Sequence, residues 1–163
     1  MLEKIREYIQ NGQYAKIRSL IAEMNEADIA AMLEELELPG AELVKVFRML
    51  PKSLAADVFS FLSLETEQMI ITSLTDREAA TIIDNLFADD AADLMEEMPA
   101  NVVKRLLAQT TPETRRDINH LLQYPEDSAG SVMTVEFVDL KEDQTVAQAI
   151  EKIRKIGIDK ETI

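Results

Sequence analysis

The chain has no cysteine, no tryptophan, four glycines, five prolines and one histidine in 163 residues. Without cysteine there is no disulfide, no thiolate metal site and no cysteine nucleophile. The one histidine, His120, stands beside Leu121 and Leu122 near the end of a helical pattern and reads as structural. No nucleophile–base constellation, HExxH motif or phosphate-cradling loop is present. An enzyme therefore finds no support. Aromatics make up only 5% of the residues, so Leu, Ile, Ala and Met must build the core. Little glycine favours packed helices over a β-sandwich. The eight methionines, spread over several helical segments, fit core filling better than a copper site. No apolar run approaches the ~18–20 residues of a membrane span. The start, Met1-Leu2-Glu3-Lys4-Ile5-Arg6, lacks the apolar core of a secretory signal, so these residues are expected to be soluble.

Positive charge is also scarce. Seventeen basic residues face 31 acidic ones, a net charge of −14. Binding to a phosphate backbone needs clustered Lys and Arg, and none is seen, which excludes nucleic acid and anionic lipid. An acidic balance suits cations or basic partners. It also keeps a protein dispersed without any ligand.

What is present is a repeat. Leu38, Leu50, Leu62, Leu74, Leu86 and Met98 recur every twelve residues. Val46, Val58, Ile70, Ile82 and Leu94 stand four residues before the last five anchors, and Phe47, Phe59, Ile71, Ile83 and Met95 three before. Each unit thus shows apolar groups at i, i+1 and i+4, one face of a short helix. After the anchors come Pro39, Pro51, Ser63, Thr75 and Pro99. The prolines suit a first helical position, where an N–H would be unpaired anyway. Thr75-x-x-Glu78 reads as a capping box and Thr111-Pro112 as a cap followed by an N1 proline. Upstream, Leu2, Ile5 and Ile9 form a first helix ended by Asn11-Gly12. Tyr14, Ile17, Leu20, Ile21 and Met24 mark a second, and Ile29, Met32, Leu33 and Leu36 a third. Val102, Val103, Leu106 and Leu107, then Ile118, Leu121 and Leu122, mark the last two. Helices this short are marginal alone and must bury their stripes against one another. The expected fold is all-α, a right-handed superhelical array of about ten helices over residues 1–123.

The pattern breaks at Tyr124-Pro125-Glu126-Asp127-Ser128-Ala129-Gly130-Ser131-Val132-Met133-Thr134. Residues 124–133 read as a linker. Beyond it, Val135 to Leu140 is expected to be a strand. Thr145-x-x-Gln148 is a second capping box, and Val146, Ala149, Ile150, Ile153 and Ile156 form one helical face ended by Gly157. A strand and one helix cannot close a core, so residues 134–163 read as a truncated α/β piece.

From Glu78 to Val103 the chain carries Glu78, Asp84, Asp89, Asp90, Asp93, Glu96 and Glu97 and no Lys or Arg. Crowded like charges cost energy, and a divalent cation would relieve it. Asp89 and Asp93 share a helix face, and Asp57 and Asp93 occupy the same repeat position. Against this, Asp89 or Asp90 is expected to cap the following helix, and Glu96 and Glu97 simply to face solvent. Magnesium is the hard cation that fits. It prefers oxygen, keeps much of its water and needs one or two carboxylates from each surface.

The junction resembles that of bacterial magnesium transporters of the MgtE family, where Tyr-x-x-x-Ser-Ala-Gly-x-x-Met-Thr separates a helical N domain from the first CBS module. Thr145-Val146-Ala147-Gln148-Ala149 is similar to the opening helix of a CBS domain. Leu50-Pro51-Lys52, Ala55-Ala56-Asp57-Val58 and Asp89-Asp90-Ala91-Ala92-Asp93 resemble segments of the N domain. The resemblance implies an N domain at 1–123, a linker at 124–133 and the beginning of a CBS domain at 134–163. It also implies magnesium ligands Asp57, Asp89 and Asp93; where the family carries Glu at the first of these, Asp57 has a shorter reach. The implied parent is a homodimer in the bacterial cell membrane. Magnesium would gate it from the cytoplasmic side by holding its N and CBS domains together, with its own CBS and transmembrane domains as partners. The rival reading is a helical-repeat scaffold for protein partners, because the array also resembles the flagellar motor switch family.

Overall fold

Punctuation every twelve residues sets the helices. The computed structural model describes residues 1–125 and 127–162, apart from the side chains of Ser53 and Asp159. Glu126, inside the junction motif, and Ile163, at the end of the 134–163 segment, lie outside the described residues. The helices are α1 (Leu2–Gln10), α2 (Tyr14–Ile21), α3 (Glu26–Glu35), α4 (Gly40–Phe47), α5 (Lys52–Phe59) and α6 (Leu64–Ser73). There follow α7 (Asp76–Ile83), α8 (Ala88–Glu96), α9 (Ala100–Leu107), α10 (Pro112–Leu121) and, after the junction, α11 (Val146–Ile156). The first ten lie within the span read as an all-α array. From α4 to α10 every start is twelve residues after the last, and α1 to α3 keep the same pitch. The phase slips once, between α3 and α4, where Glu37 takes a φ of +46°.

The N-termini show how the repeat is written. Ser63, Thr75 and Thr111 each accept from the backbone N–H three residues on. Such a cap stabilises a helix by about 0.5–2 kcal/mol. The expected capping boxes at Thr75–Glu78 and Thr145–Gln148 are both present. Pro39, Pro51 and Pro99 stand one residue earlier than expected, at the N-cap position and not inside the helix. Their fixed φ of −55°, −55° and −58° supports an extended entry, and each carbonyl accepts the first helical bond. Only Pro112 is a first helical residue.

The chain divides into two compact units. The first comprises Met1–Leu86 with Met98–Thr110. Here α1 packs on α2, and four pairs pack next but one: α3 on α5, α4 on α6, α5 on α7 and α7 on α9. The pairs that precede the anchors are among the buried side chains. Val58, Phe59, Ile70 and Ile83 are fully buried, and the rings of Phe47 and Phe59 meet edge to face, 6.1 Å between centres. Each such side chain contributes roughly 1.5–3 kcal/mol. The anchors themselves fall in the turns, so Leu38, Leu74 and Leu86 are only half-buried. Acids on α7 are matched by arginines: Asp76 with Arg105 at 3.0 Å, and Glu78 with Arg48 through two bonds of 3.0 Å. The Arg48 guanidinium, with the N–H and hydroxyl of Thr75, holds the Glu78 carboxyl down at about 2.

The second unit comprises Phe87–Glu97 with Thr111–Ile163. In it α10 packs on α8. The junction motif forms a single 3-10 turn, Ala129–Val132, capped by Ser128, whose Oγ accepts from the Ser131 N–H at 3.3 Å. A Cβ on Gly130 would overlap the ring of Tyr124, so glycine is required there for close approach. The Tyr124 ring also lies edge-on to His120, 5.4 Å between centres, and its hydroxyl is 3.4 Å from His120 Nε2. The histidine is thus part of this packing.

The strand expected at Val135–Leu140 is not formed among the described residues. Phe137 makes only an isolated parallel bridge with Thr162, in which the Val138 N–H donates to the Thr162 carbonyl at 3.0 Å. One such partner does not extend a ladder. The apolar face of α11 is real, but none of its residues is buried among the described residues.

Candidate functional site

At the N-terminus of α8 the repeat offers neither a capping side chain nor a proline. Phe87 holds the N-cap position, and its side chain accepts nothing. Asp89 and Asp90, expected as caps, instead lie inside the first turn. The Ala88 N–H donates to Glu136 Oε1, 48 residues further on, at 3.2 Å. Thr134 orients that carboxylate. Its hydroxyl donates to Glu136 Oε2 at 3.2 Å and accepts from the Glu136 N–H at 3.1 Å. The Glu136 carbonyl accepts from the Glu161 N–H at 2.9 Å, which brings a further acid to the same place. The threonine that ends the junction motif therefore aims a glutamate at a helix end whose dipole favours negative charge.

Around it the acids crowd. Burial pushes the Asp90 carboxyl up to about 6, aided by the charges of Asp89, Glu161, Asp93 and Glu136. Asp89 is raised by burial, then by Glu161 and Glu136, against the pull of backbone N–H groups. Asp93, on the outer side of α8, is raised by loss of water alone. Among the described residues no Lys or Arg forms an ion pair with any of these acids. Asp89 Oδ1 is buried and accepts no hydrogen bond among the described residues. An orphaned buried carboxylate oxygen among uncompensated acids fits a hard cation.

Of the three residues singled out from sequence, Asp89 and Asp93 come together, one turn apart on α8. Asp57 is exposed on α5 and belongs to the first unit. Its backbone carbonyl accepts from Ser60 Oγ at 3.1 Å, while its carboxylate has no partner among the described residues. Asp90, Glu136 and Glu161 were not singled out. Asp90 lay inside the acidic motif and could have been weighed with its neighbours. Nothing in the periodicity pointed to Glu136, because its contact spans 48 residues. Among the described residues no three His, Asp or Glu side chains are grouped to hold a metal ion. The acids present are of the kind that serves a cation keeping part of its water.

Fold and site define an acidic helical-repeat domain with carboxylates crowded at the start of α8. No helix among the described residues is long and apolar enough to cross a membrane. The family model for the MgtE intracellular N domain matches residues 24–127, and the chain belongs to that family. It is 33% identical over 163 residues to a magnesium transporter MgtE of Thermus thermophilus, covering 98% of this chain and 36% of the relative. It is 25% identical over 149 residues to the magnesium transporter MgtE of Bacillus subtilis, covering 91% and 33%. The chain thus spans about a third of the curated relatives it matches. A crystal structure of the cytosolic domain of the Mg2+ channel MgtE in complex with ATP superposes with a TM-score of 0.84 at 32% identity, covering all of this chain and 66% of that one. The soluble part of a magnesium transporter shares the fold, with a TM-score of 0.83 at 23% identity and coverage of 99% and 63%.

Proposed function

We propose that this chain is the magnesium-sensing region on the cytoplasmic side of a homodimeric MgtE-type transporter in the bacterial cell membrane. In this reading residues 1–123 are the N domain, 124–133 the linker and 134–163 the beginning of the first CBS domain. Magnesium is both the transported ion and the signal. Asp57, Asp89 and Asp93 serve as ligands, and Asp90 and Glu136 add to the field at α8. At high magnesium, ions bridge the acidic face of the N domain to the CBS region and hold the parent closed. At low magnesium the bare acids repel, and the domains separate. Magnesium can shift this equilibrium only by binding one state better, and a site completed between domains provides that difference.

The observation that carries the proposal is the buried, unpartnered Asp89 Oδ1 among acids that no basic residue offsets. The test is limited proteolysis of the full-length protein at 124–134, at constant ionic strength and increasing magnesium. Magnesium should slow cleavage severalfold, and replacing Asp57, Asp89 and Asp93 together with Ala should abolish the slowing. Equal protection in the triple variant would remove these residues from the site. Cleavage indifferent to magnesium in the native protein would remove the sensor itself.

A further inference from the structure

The first unit contains a cleft of about 280 Å³ that has no part in the acidic site. Its floor is apolar: Phe47 at the end of α4, Leu50 in the turn after it, Ala55 of α5, Leu74 just before α7 and Ile82 near the end of α7. Its rim is basic, with Arg48, Lys52 and Arg77, in a chain whose net charge is −14. The single acid on the rim, Glu78, is clipped to Arg48 by two bonds of 3.0 Å. The hydroxyl hydrogens there are committed as well. Thr75 Oγ1 donates to Glu78 at 2.8 Å, and Thr81 Oγ1 to the Arg77 carbonyl at 2.9 Å.

Lys52 and Arg77 therefore carry the side-chain donors left uncommitted at the rim, together with the outer guanidinium nitrogen of Arg48. Neither Lys52 nor Arg77 pairs with a carboxylate among the described residues. All these donors are cationic. An apolar floor under uncommitted cations selects a molecule with an apolar body and an anionic head. A neutral molecule leaves the charges unused, and a cation is repelled. The volume lies near the lower end of ligand clefts, roughly 300–1,000 Å³, which favours a small molecule over a folded segment. The long-range repulsion of the acidic chain is screened beyond about 8 Å at physiological ionic strength, so the local basic rim governs capture.

We infer that this cleft binds a small amphipathic anion, with its carboxylate or phosphate monoester on Lys52 and Arg77 and its apolar body on Phe47, Leu50, Leu74 and Ile82. The reading is independent of magnesium sensing. Backbone amide shifts of the isotope-labelled chain would be followed by NMR while titrating hexanoate, hexyl phosphate, hexanol and hexylamine. Either anion or both should give saturable shifts confined to residues 47–55 and 74–82. Comparing the two anions identifies the preferred head group. Hexylamine should not saturate, and hexanol should bind more weakly than the better anion. The double variant Lys52→Gln/Arg77→Gln, both exposed positions, should weaken anion binding at least tenfold with an unchanged melting temperature. Equal affinity in that variant, saturation by hexylamine, or shifts scattered away from the cleft would overturn the proposal. So would the absence of any saturable shift with both anions at millimolar concentration.

Discussion

Helices α7 and α8 begin one repeat apart, and Glu78 and Asp90 hold the same place in each. Yet their carboxyls lie at about 2 and about 6. On α7 the acid closes a capping box and is clipped by Arg48. On α8 the N-cap is Phe87, the carboxylate at the helix end comes from Glu136, and no arginine among the described residues pairs with Asp90. Backbone and packing repeat faithfully: Ile82 and Ile83 are buried on one helix as Leu94 and Met95 are on the other. Apolar periodicity therefore makes the scaffold, and the two helices differ electrostatically where the polar punctuation departs from it.

The sharpest challenge to the shared packing is Ile83→Ala against Met95→Ala, the same repeat position in the two helices. Each should cost about 2–5 kcal/mol in chemical denaturation. A large loss at one and almost none at the other would break the equivalence. Next in size is Gly130→Ala, which sets a methyl against the Tyr124 ring in the unit that contains α8. It should destabilise by about 1–3 kcal/mol, with hydrogen exchange accelerated in residues 120–136; unchanged exchange would show that the turn gives way freely.

Charge neutralisation should have opposite signs in the two helices. In magnesium-free buffer Asp90→Asn is expected to stabilise by about 1 kcal/mol once solvent screening is allowed for, and Glu78→Gln to destabilise by about 0.5–1 kcal/mol. Shifts of one sign in thermal melts would refute the contrast. The smallest effect is the pH dependence of Glu78. Its folded pKa is depressed, so its contribution is present above the unfolded value near 4.5 and fades as pH falls through about 2. The pair is exposed, which limits the effect to under about 1 kcal/mol. Arg48→Ala should flatten that part of the acid-denaturation curve, and a curve of the same slope would assign the pKa to Thr75 alone.

Much of the fold could be read from residues alone because each helix carries its own signals. Ser63, Thr75 and Thr111 cap where a cap was expected, and the paired apolar positions point inward. Prolines 39, 51 and 99 misled by one residue, since a fixed φ suits the extended N-cap as well as the first turn. The strand was overread because alternation in Val135–Leu140 describes a capacity to pair, while pairing itself needs a neighbour. Asp89 and Asp93 were visible as acids four apart. The capping of Ala88 by Glu136 was not, because no local rule links residues so far apart. The desolvation that lifts Asp90 is likewise a property of what surrounds it.

The next-but-one packing has a consequence for how such a chain can change length. A single inserted residue rotates everything downstream by about 100° and turns buried pairs toward water. One whole repeat restores the rotation but changes the partners of the helices that face each other across the insertion, so surfaces made for different neighbours meet there. Only a pair of repeats keeps both phase and parity. Descendants of this array should therefore grow and shrink by helix pairs, with one tolerated slip at the left-handed Glu37 turn, where the pitch is already broken.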